Sequence, residues 1–339
     1  MSSRGLLGAS DRPLAADRDL VMLDLDGVVY RGATAVPGAV ETIAEVRAGG
    51  VATSYLTNNA SRTSSEVAEH LRALGIEAEG VDVVTAGEAV AHLVGRAVPT
   101  GSSVLVVGGP GLTEPLEKLG LTCTNSADDG PAAVVQGFHP DVGWRDLAEA
   151  SYAVAAGVPW FASNTDLTVP TGRGTAPGNG SLIGTVRQAT GRDPQVIAGK
   201  PEPAIFAEAL ERTGARHPIM VGDRIDTDIV GAVRLGIDAL QVLTGVHGLP
   251  ELIQLPPDQR PTFVGADLCA LLVEHPIVDV VTGRSACVDA VAVLDGEYID
   301  VVAGVPGTLP AIRAVVSLAW SVLDATGRPA HLAPRALEH

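Results

Sequence analysis

The sequence predicts an α/β protein with a doubly wound parallel-sheet core, an inserted α/β cap domain and a small C-terminal α+β appendage. Strand-like and helix-like segments alternate along most of the 339 residues, which is the rhythm of βαβ units. The alternation falls into two series separated by loops, which indicates one domain inserted into another. Hydrophobic residues make up 46% of the chain and aromatic residues only 3%, a composition that suits buried parallel strands.

The predicted elements follow one another closely. The first series consists of strands and helices in turn over 19–24, 37–50, 51–59, 64–75, 81–86 and 87–97. The second series covers 102–111, 132–141, 143–157, 158–166 and 175–191, and the first rhythm resumes over 199–214, 217–236, 237–245 and 261–276. Strands at 287–296 and 297–304 and a helix at 309–327 form the appendage.

These patterns give a division of the chain into domains. We expect a core in two parts, a cap between them, the appendage after the second part, and a tag remnant, "LEH", at the end. The expected ranges are 18–85 and 190–275 for the core, 86–189 for the cap, 276–336 for the appendage and 337–339 for the remnant.

Charge and cysteine usage limit the partners that we expect. A formal net charge of −17 argues against nucleic-acid and anionic-membrane partners, which both attract positive surfaces. The three cysteines are widely spaced, which favours ordinary thiols in a reducing compartment and a cytoplasmic protein. No signal peptide is recognisable, and the late apolar run 311–323 is short and interrupted by Arg313, so we expect no membrane span.

The stretch "VMLDLDGVVYRG" places two acids at the end of an apolar strand. If the chain stays extended, Asp24 and Asp26 point to the same side, because side chains two apart on a strand share a face. Such a pair is costly unless a cation or a shared proton relieves it. The alternative is an ordinary strand that ends in a solvated Asp-Gly turn.

Polar groups follow three further predicted strands or open a helix. Thr57 and Asn58 end "YLTNN", Lys200 stands in "GKPEP", and Asp223 follows the strand in "MVGDRIDTDI". Ligands of doubly wound sheets bind beyond the carboxyl ends of the strands, so we expect these groups to meet. Carboxylates attract Mg²⁺, and a carboxylate can be a nucleophile toward phosphorus if a cation offsets its repulsion from the phosphate.

Four motifs in order, "DLDGVVYRG", "TNNASR", "GKPEP" and "GDRIDTDI", resemble those of the haloacid dehalogenase superfamily. The resemblance covers about residues 18–275 and is to its class IIA phosphatases, which carry a large α/β cap. That branch includes phosphatases for nucleotides, 4-nitrophenyl phosphate, pyridoxal phosphate, phosphoglycolate and glycerol phosphate. It implies a Mg²⁺-dependent phosphomonoester hydrolase that forms an aspartyl-phosphate.

The resemblance also implies roles for single residues. Asp24 would attack phosphorus and bind Mg²⁺, while Asp26 would be general acid and then general base, and would bind the metal through its backbone carbonyl. Asp223 would be the other metal ligand, and Asp228 would hold metal-bound water. Asp226 is expected to be solvated or to brace the loop. Phosphate would be bound by Thr57, Asn58 and Lys200.

Weaker signals concern the cap and the substrate. His139 stands in a cap loop, and Asn164 and Asp166 resemble the family's Asn-x-Asp loop, although Thr165 replaces the frequent Pro; all three are candidate substrate contacts, and each has an ordinary turn role as its alternative. Core packing is expected for Trp144, Tyr152, Trp160 and Phe161, which leaves Phe138 alone to stack on a ring. Small polyol or hydroxy-acid phosphates, such as glycerol phosphate or phosphoglycolate, are therefore favoured.

The alternatives are a phosphatase for nucleoside monophosphates or pyridoxal phosphate and a non-catalytic regulatory protein on the same fold. The "GGPG" turn in the cap is expected to be a tight turn and not a dinucleotide site. The appendage has no metal or phosphate motif, and we expect it to be a packing or dimerisation element, with a homodimer as one outcome.

Overall fold

A computed structural model describes residues 7–337 of the chain. They form two compact units: the first contains the residues up to Thr53 and those from Thr213 onward, and the second is Ser54–Arg212. The helices are α1 (Ala39–Ala48), α2 (Ser64–Ala73), α3 (Ala86–Ala97), α4 (Pro110–Lys118), α5 (Trp144–Ala155), α6 (Asn179–Thr190), α7 (Pro203–Thr213), α8 (Val230–Arg234), α9 (Leu249–Leu252) and α10 (Leu309–Thr326).

The strands are mostly short. They are β1 (Leu20–Asp24), β2 (Tyr30–Arg31), β3 (Thr34–Ala35), β4 (Ala52–Thr57), β5 (Val83–Thr85), β6 (Ser103–Val107), β7 (Thr122–Thr124), β8 (Ala133–Gln136), β9 (Trp160–Ala162), β10 (Thr168–Thr171), β11 (Gly174–Pro177), β12 (Val196–Ile197), β13 (Pro218–Gly222), β14 (Asp238–Val242), β15 (Phe263–Gly265), β16 (Asp279–Val281), β17 (Arg284–Cys287), β18 (Ala290–Asp295), β19 (Tyr298–Ala303) and β20 (His331–Leu332).

The first unit is built on parallel strands in the order β15, β14, β13 and β1. The first four residues of β1, "LVML", are fully buried, as expected for a strand that is covered on both faces. At the start of β4 the backbone N–H of Ala52 donates to the carbonyl of Asp19, before the chain enters the second unit. These strands confirm the predicted α/β class with a parallel sheet.

The appendage is a five-stranded sheet, β16 to β20 in order, against which α10 packs. Four of its strands are antiparallel neighbours, and β20 adds in parallel to β19. Residues of α10 share one hydrophobic cluster with Leu249, Leu252 and Val264, so the appendage and the end of the core have a common interior. Sequence patterns alone did not predict β16, β17 or β20.

Helix α10 agrees to within one residue with the helix predicted over 309–327, and it contains the apolar run 311–323. It is the one described helix that is long and apolar enough to cross a membrane by length and composition, with a mean hydropathy of 1.3. In the structure 56% of that window is buried inside the chain, and the guanidinium of Arg313 is fully buried there. Arg313 donates to the backbone carbonyls of Pro276 and Gly8, which is the environment of a core helix in this unit.

The second unit contains β4 and β5, paired in parallel, and a five-stranded parallel sheet in the order β12, β9, β8, β6 and β7. Helices α5 and α6 cover one face of the five-stranded sheet through a cluster of Leu, Val, Ile and Ala. An antiparallel hairpin, β10 and β11, precedes α6. Because β12 pairs with β9, the sheet of the inserted region extends past residue 189, where the sequence placed the end of the cap.

The aromatic residues of the cap only partly follow expectation. Trp160 and Phe161 are buried, but Trp144 is 77% exposed and Tyr152 is 59% exposed, so the prediction that these two pack in the core was wrong. The buried face of α5 is made by Leu147 and smaller residues, and Tyr152 lies on the opposite side of the helix. Of the proposed tag remnant only Leu337 is described; residues 338 and 339 lie outside the described range.

Candidate active site

Three carboxylates come together at the carboxyl ends of two adjacent strands in the first unit. Asp24 is the last residue of β1, and Asp223 directly follows β13, which pairs with β1 in parallel so that Leu23 lies opposite Val221. One carboxylate oxygen each of Asp24, Asp223 and Asp228 lies within 4.8 Å of the other two. The strand-end rule predicts that Asp24 and Asp223 lie close together, and in the structure they do.

The chain leaves the sheet at Asp24, the residue at which the predicted strand 19–24 also ends. Leu25 forms a bend, and its carbonyl accepts hydrogen bonds from Val29 at 2.9 Å and from Tyr30 at 3.1 Å, which closes a tight turn. The chain therefore does not stay extended through Asp26, which was the condition for Asp24 and Asp26 to point to the same side. Asp26 is exposed at the turn, where its backbone bridges to Tyr30.

Asp223 is fully buried and is held by a loop that sequence reasoning missed. The backbone N–H of Val246 donates to Asp223 Oδ2 at 2.6 Å, and Gln241 Nε2 donates to the Asp223 carbonyl at 2.8 Å. A β-carbon at Gly245 would lie 1.8 Å from the same carboxylate oxygen. The signal that could have found this loop is its position, because "LTGVHG" follows the end of β14.

Asp228 is also buried, in a π-helical turn over Ile225–Ile229. The backbone N–H of Arg224 donates to Asp228 Oδ2 at 3.1 Å. Asp226 pairs instead with the Arg224 guanidinium, at 2.7 Å for the shorter bond. Burial raises the pKa of Asp226, but the hydrogen bond and the charge of Arg224, with smaller contributions from His247 and the backbone, together outweigh it and leave that pKa below its usual value. Asp226 thus braces the loop, which is one of the two roles expected for it.

The acid cluster has the chemistry of a site for a hard divalent cation. Its donors are all carboxylate oxygens, which Mg²⁺ prefers, and two of the three residues are buried, where like charges are costly without a cation or a shared proton. The donor set therefore fits Mg²⁺, and Asp24 and Asp223 would be its ligands. Asp228 is near enough to act as a third acid of the site.

Lys200 is positioned by the sheet of the second unit. Strand β12 pairs with β9, and the pairing continues as Ala198 donates to Ala162 at 3.1 Å and Gly199 donates to Ser163 at 2.7 Å. Lys200 follows at the end of this edge. Its side chain is 4% exposed, and its Nζ donates to the carbonyl of Leu56 at 3.0 Å.

Thr57 and Asn58 end β4 in the same unit. The hydroxyl oxygen of Thr57 accepts from the Asn59 backbone N–H at 3.1 Å. The Asn58 side chain accepts from the Lys200 N–H at 2.7 Å, and it donates to the Lys200 carbonyl at 3.0 Å and to Asp166 Oδ2 at 3.2 Å. This side-chain amide is thus engaged by protein groups, and phosphate binding by Thr57 and Asn58 stays a prediction.

The Asn-x-Asp loop of the cap lies against Asn58. Asn164 is 4% exposed; its amide donates to the Asn58 carbonyl at 2.7 Å, and its oxygen accepts from the Asp166 N–H at 3.1 Å. Asn179, which sequence reasoning missed, donates to the Asn164 carbonyl at 2.7 Å. Asn164 therefore has the bracing role given as its alternative.

His139 lies in the loop that follows β8. A β-carbon on Gly109 would come within 2.3 Å of its ring, so His139 packs on the backbone of the "GGPG" turn. The structure thus forms two groups of predicted residues, Asp24, Asp223 and Asp228 in the first unit and Thr57, Asn58, Asn164, Asp166 and Lys200 in the second.

Family models match both ends of the predicted core. The model of haloacid dehalogenase-like hydrolases matches residues 21–122, and a HAD-hydrolase-like model matches residues 197–271. Together with the relatives below, these matches show that the chain belongs to the haloacid dehalogenase-like hydrolases. They confirm the family and the enzyme class, a phosphomonoester hydrolase, that the four motifs indicated.

Individual relatives are phosphatases. The chain is 40% identical over 331 residues to a D-glycerol 3-phosphate phosphatase of Mycobacterium tuberculosis, covering 96% of this chain and 92% of the relative. It is 36% identical over 255 residues to an acid sugar phosphatase of Staphylococcus aureus, covering 75% of this chain and 96% of the relative.

Among the solved structures, one matches nearly the whole chain and another matches about three quarters of it. The magnesium complex of the glycerol phosphate phosphatase of M. tuberculosis superimposes with a TM-score of 0.84 at 40% identity, covering 96% of this chain and 97% of that chain. A 4-nitrophenylphosphatase of Thermotoga maritima gives a TM-score of 0.71 at 28% identity, covering 76% of this chain and 98% of that chain. The similarity to the M. tuberculosis enzyme thus extends over more of this chain.

Proposed function

We propose that this chain is a Mg²⁺-dependent phosphatase for a small phosphomonoester, with glycerol phosphate as the first candidate and phosphoglycolate as the second. The observation that carries the proposal is the cluster of Asp24, Asp223 and Asp228 at two adjacent strand ends in a haloacid dehalogenase-like hydrolase. Glycerol phosphate is the first candidate because the D-glycerol 3-phosphate phosphatase of M. tuberculosis matches 96% of this chain.

In the proposed reaction the Asp24 carboxylate attacks phosphorus and displaces the alkoxide of the substrate, which gives an aspartyl-phosphate. Asp26 donates a proton to the leaving alkoxide. In the second half Asp26 takes a proton from water, which attacks the same phosphorus and restores the Asp24 carboxylate while phosphate is released. The exposure of Asp26 at the turn after β1 leaves its carboxyl group accessible for both transfers.

Mg²⁺ would be held by Asp24 and Asp223 and by the backbone carbonyl of Asp26, and it would neutralise charge on the phosphoryl oxygens. The family resemblance would give Lys200 and Thr57 the task of binding phosphate, through an ammonium group and a hydroxyl donor. Both side chains are almost completely buried, at 4% and 5% exposure, so each has little freedom to lose when phosphate binds.

The aromatic residues of the cap support a small substrate without a ring. A planar base or pyridine ring is usually held by an aromatic stack or an apolar slot. Trp160 and Phe161 are buried in the interior of the second unit, and Trp144 and Tyr152 lie on the exposed side of α5. Phe138 remains as the candidate for stacking. Phosphatases for nucleotides or pyridoxal phosphate, and for sugar phosphates as in the S. aureus relative, are the alternatives.

The test is the release of inorganic phosphate by the full chain from glycerol 3-phosphate, phosphoglycolate, a sugar phosphate, UMP, AMP and pyridoxal 5′-phosphate, with Mg²⁺ and with EDTA. Asp24→Asn is the control for contaminating phosphatases. We expect EDTA to abolish release and glycerol 3-phosphate or phosphoglycolate to have a kcat/KM at least about tenfold higher than the others, or about 1.4 kcal/mol. A nucleotide that leads by this factor would contradict the substrate proposal, and no hydrolysis of any ester would contradict the phosphatase.

We also propose a cytoplasmic location, supported by three cysteines that are all free thiols in the structure. The net charge of −17 supports a small-molecule substrate over nucleic acid or membrane partners. A homodimer stays a proposal, which sedimentation of the purified chain tests.

A further inference from the structure

We propose that Asn58 is a positioning residue: its amide fixes the backbone of Lys200 and connects that lysine to the loop of Asn164 and Asp166. The inference rests on the proposed function, in which Lys200 binds the phosphate. It assigns the Asn58 side chain a task other than direct phosphate binding.

The first support is that two hydrogen bonds join the Asn58 side chain to the backbone of Lys200. The Asn58 side chain accepts from the Lys200 N–H at 2.7 Å and donates to the Lys200 carbonyl at 3.0 Å, so one amide satisfies both backbone groups of the lysine. Gly199 allows this approach, because a β-carbon there would lie 2.6 Å from Asn58 Oδ1. A lysine has a long flexible stem, and fixing its backbone limits where its ammonium can reach.

The second support is the connection to the cap loop. The same Asn58 amide donates to Asp166 Oδ2 at 3.2 Å, and its backbone carbonyl accepts from Asn164 at 2.7 Å. Asn164 is held in turn by Asn179 at the start of α6, and both are buried, at 4% and 1% exposure. These asparagines form a continuous hydrogen-bonded chain from α6 to Lys200.

This arrangement makes Asp166 act on Lys200 through Asn58. Asp166 accepts the second N–H of the amide that holds the lysine, so a change of charge or position at Asp166 shifts that amide. A displacement of about 1 Å at a reacting group can cost about 100-fold in rate. The loop therefore influences phosphate binding from a residue that need not touch the phosphate.

The test begins with Asn58→Asp, which keeps the shape and the acceptor for the Lys200 N–H. It removes both donated hydrogen bonds and places a second carboxylate beside that of Asp166, where the two repel each other unless they share a proton. At neutral pH we expect kcat/KM to fall about 10- to 100-fold, mainly through KM, with weaker inhibition by inorganic phosphate. Toward acidic pH a shared proton restores one donor, so the loss should shrink in a way that the wild-type profile does not show.

The exchange variant Asn58→Asp/Asp166→Asn reverses donor and acceptor and restores the hydrogen bond between positions 58 and 166, while the bond to the Lys200 carbonyl stays lost. We expect it to recover part of the lost kcat/KM, so that it exceeds Asn58→Asp by at least about threefold, and to lose the acid dependence. The matched control is Asn59→Asp in the same loop. Asn59 Oδ1 accepts from the Ser61 N–H at 2.8 Å and from its hydroxyl at 2.7 Å, which an aspartate preserves while adding the same charge.

Three results would overturn the inference while wild-type hydrolysis stands: an N58D loss no larger than that of N59D, an exchange variant no better than N58D, or a loss that follows the melting temperature and is independent of pH. Wild-type protein that hydrolyses no phosphomonoester would overturn the proposed function first, and the inference with it.

Discussion

The carboxylate of Asp223 and the backbone of Gly245 are in direct contact: a β-carbon at position 245 would lie 1.8 Å from Asp223 Oδ2. The next residue, Val246, donates its N–H to that same oxygen at 2.6 Å. The loop after β14 therefore encloses one acid of the cluster, and its glycine is required by this close approach.

Replacing Gly245 by alanine should displace either the loop or the Asp223 carboxylate, because the added methyl group cannot occupy the same space. We expect kcat/KM to fall by about 100-fold, the scale of a 1 Å displacement at a reacting group, and the Mg²⁺ concentration for half-maximal activity to rise. Steady-state rates measured over a Mg²⁺ titration provide both values.

The matched control is Gly184→Ala on α6, where no other atom lies within 4 Å of an added β-carbon. That variant should keep wild-type rates and gain slightly in stability, since alanine favours helix over glycine by about 1 kcal/mol. If the two alanine variants have the same kcat/KM and the same Mg²⁺ dependence, then the contact between Gly245 and Asp223 is not needed for activity.

Asp24 and Asp26 should differ in how their loss depends on the leaving group. Asp24→Asn should abolish turnover of every substrate, because it removes the nucleophile without changing the side-chain volume. Asp26→Asn should lower kcat about 100- to 10,000-fold on glycerol 3-phosphate, the usual range for general acid–base catalysis. The loss should be smaller on 4-nitrophenyl phosphate, whose leaving group needs less help from a proton.

Phosphate release from the two substrates and melting temperatures of both variants check this pair. A residual rate for Asp24→Asn near that of the wild type would exclude it as the nucleophile. Identical losses for Asp26→Asn on the two substrates would exclude protonation of the leaving group by that residue in the limiting step.

The parts of the site that the sequence could predict are those that follow directly from strand ends. Asp24 and Asp223 lie at the carboxyl ends of neighbouring parallel strands, where the topology brings ligand-binding groups together. Predicting the positions of these two acids required no knowledge of tertiary contacts, because an apolar run followed by Asp marks a strand end within a few residues.

The parts that could not be predicted depend on contacts between distant segments. Asn58 meets Asp166 and Lys200 across 108 and 142 positions of the chain, and no local pattern specifies such pairs. Val246 contributes a backbone N–H, which every residue except proline carries. The exposure of Trp144 shows a second limit of prediction from sequence. An amphipathic pattern indicates that a helix has a buried face, but a large apolar residue can still lie outside that face.

A partly buried ion pair joins α3 to α7 in the second unit. His92 Nδ1 lies 2.7 Å from Glu208 Oε2, and Arg212 donates to the other oxygen of Glu208 at 2.9 Å. The hydrogen bond with His92 lowers the pKa of Glu208 to about 2, and the same bond raises the pKa of His92 above its usual value. A raised histidine pKa means stabilisation that is complete below about pH 6.5 and is lost as the pH rises through the raised value.

Replacing His92 by glutamine should therefore lower the free energy of unfolding more at pH 6 than at pH 9, by about 1 kcal/mol, because a third of the histidine remains exposed to solvent. Urea unfolding at the two pH values measures the difference. The exposed His331→Gln is the control, and at pH 6 it should lower the free energy of unfolding less than His92→Gln does. A uniform loss for His92→Gln at both pH values would mean that only packing was removed.

Alanine variants of two tryptophans, Trp320 in the first unit and Trp144 in the second, can distinguish a contribution of the appendage to stability from a contribution to catalysis. Trp320 on α10 is fully buried; its indole N–H donates to the Leu252 carbonyl at 2.9 Å, and the Arg260 guanidinium stacks over its ring at 4.9 Å. Trp320→Ala should lower the free energy of unfolding by about 3–5 kcal/mol, as for other buried aromatic residues. Trp144→Ala removes the same side chain from a position that is 77% exposed, and should cost no more than about 0.5 kcal/mol.

Both variants should keep the wild-type kcat/KM at a temperature where they are folded, because neither tryptophan belongs to the groups that bind phosphate or metal in the proposed reaction. Urea unfolding gives the two free energies, and phosphate release at low temperature gives the rates. If Trp320→Ala is folded and its kcat/KM still falls by tenfold or more, then the helix of the appendage takes part in shaping the active site, and its role goes beyond closing the interior that it shares with Leu249, Leu252 and Val264.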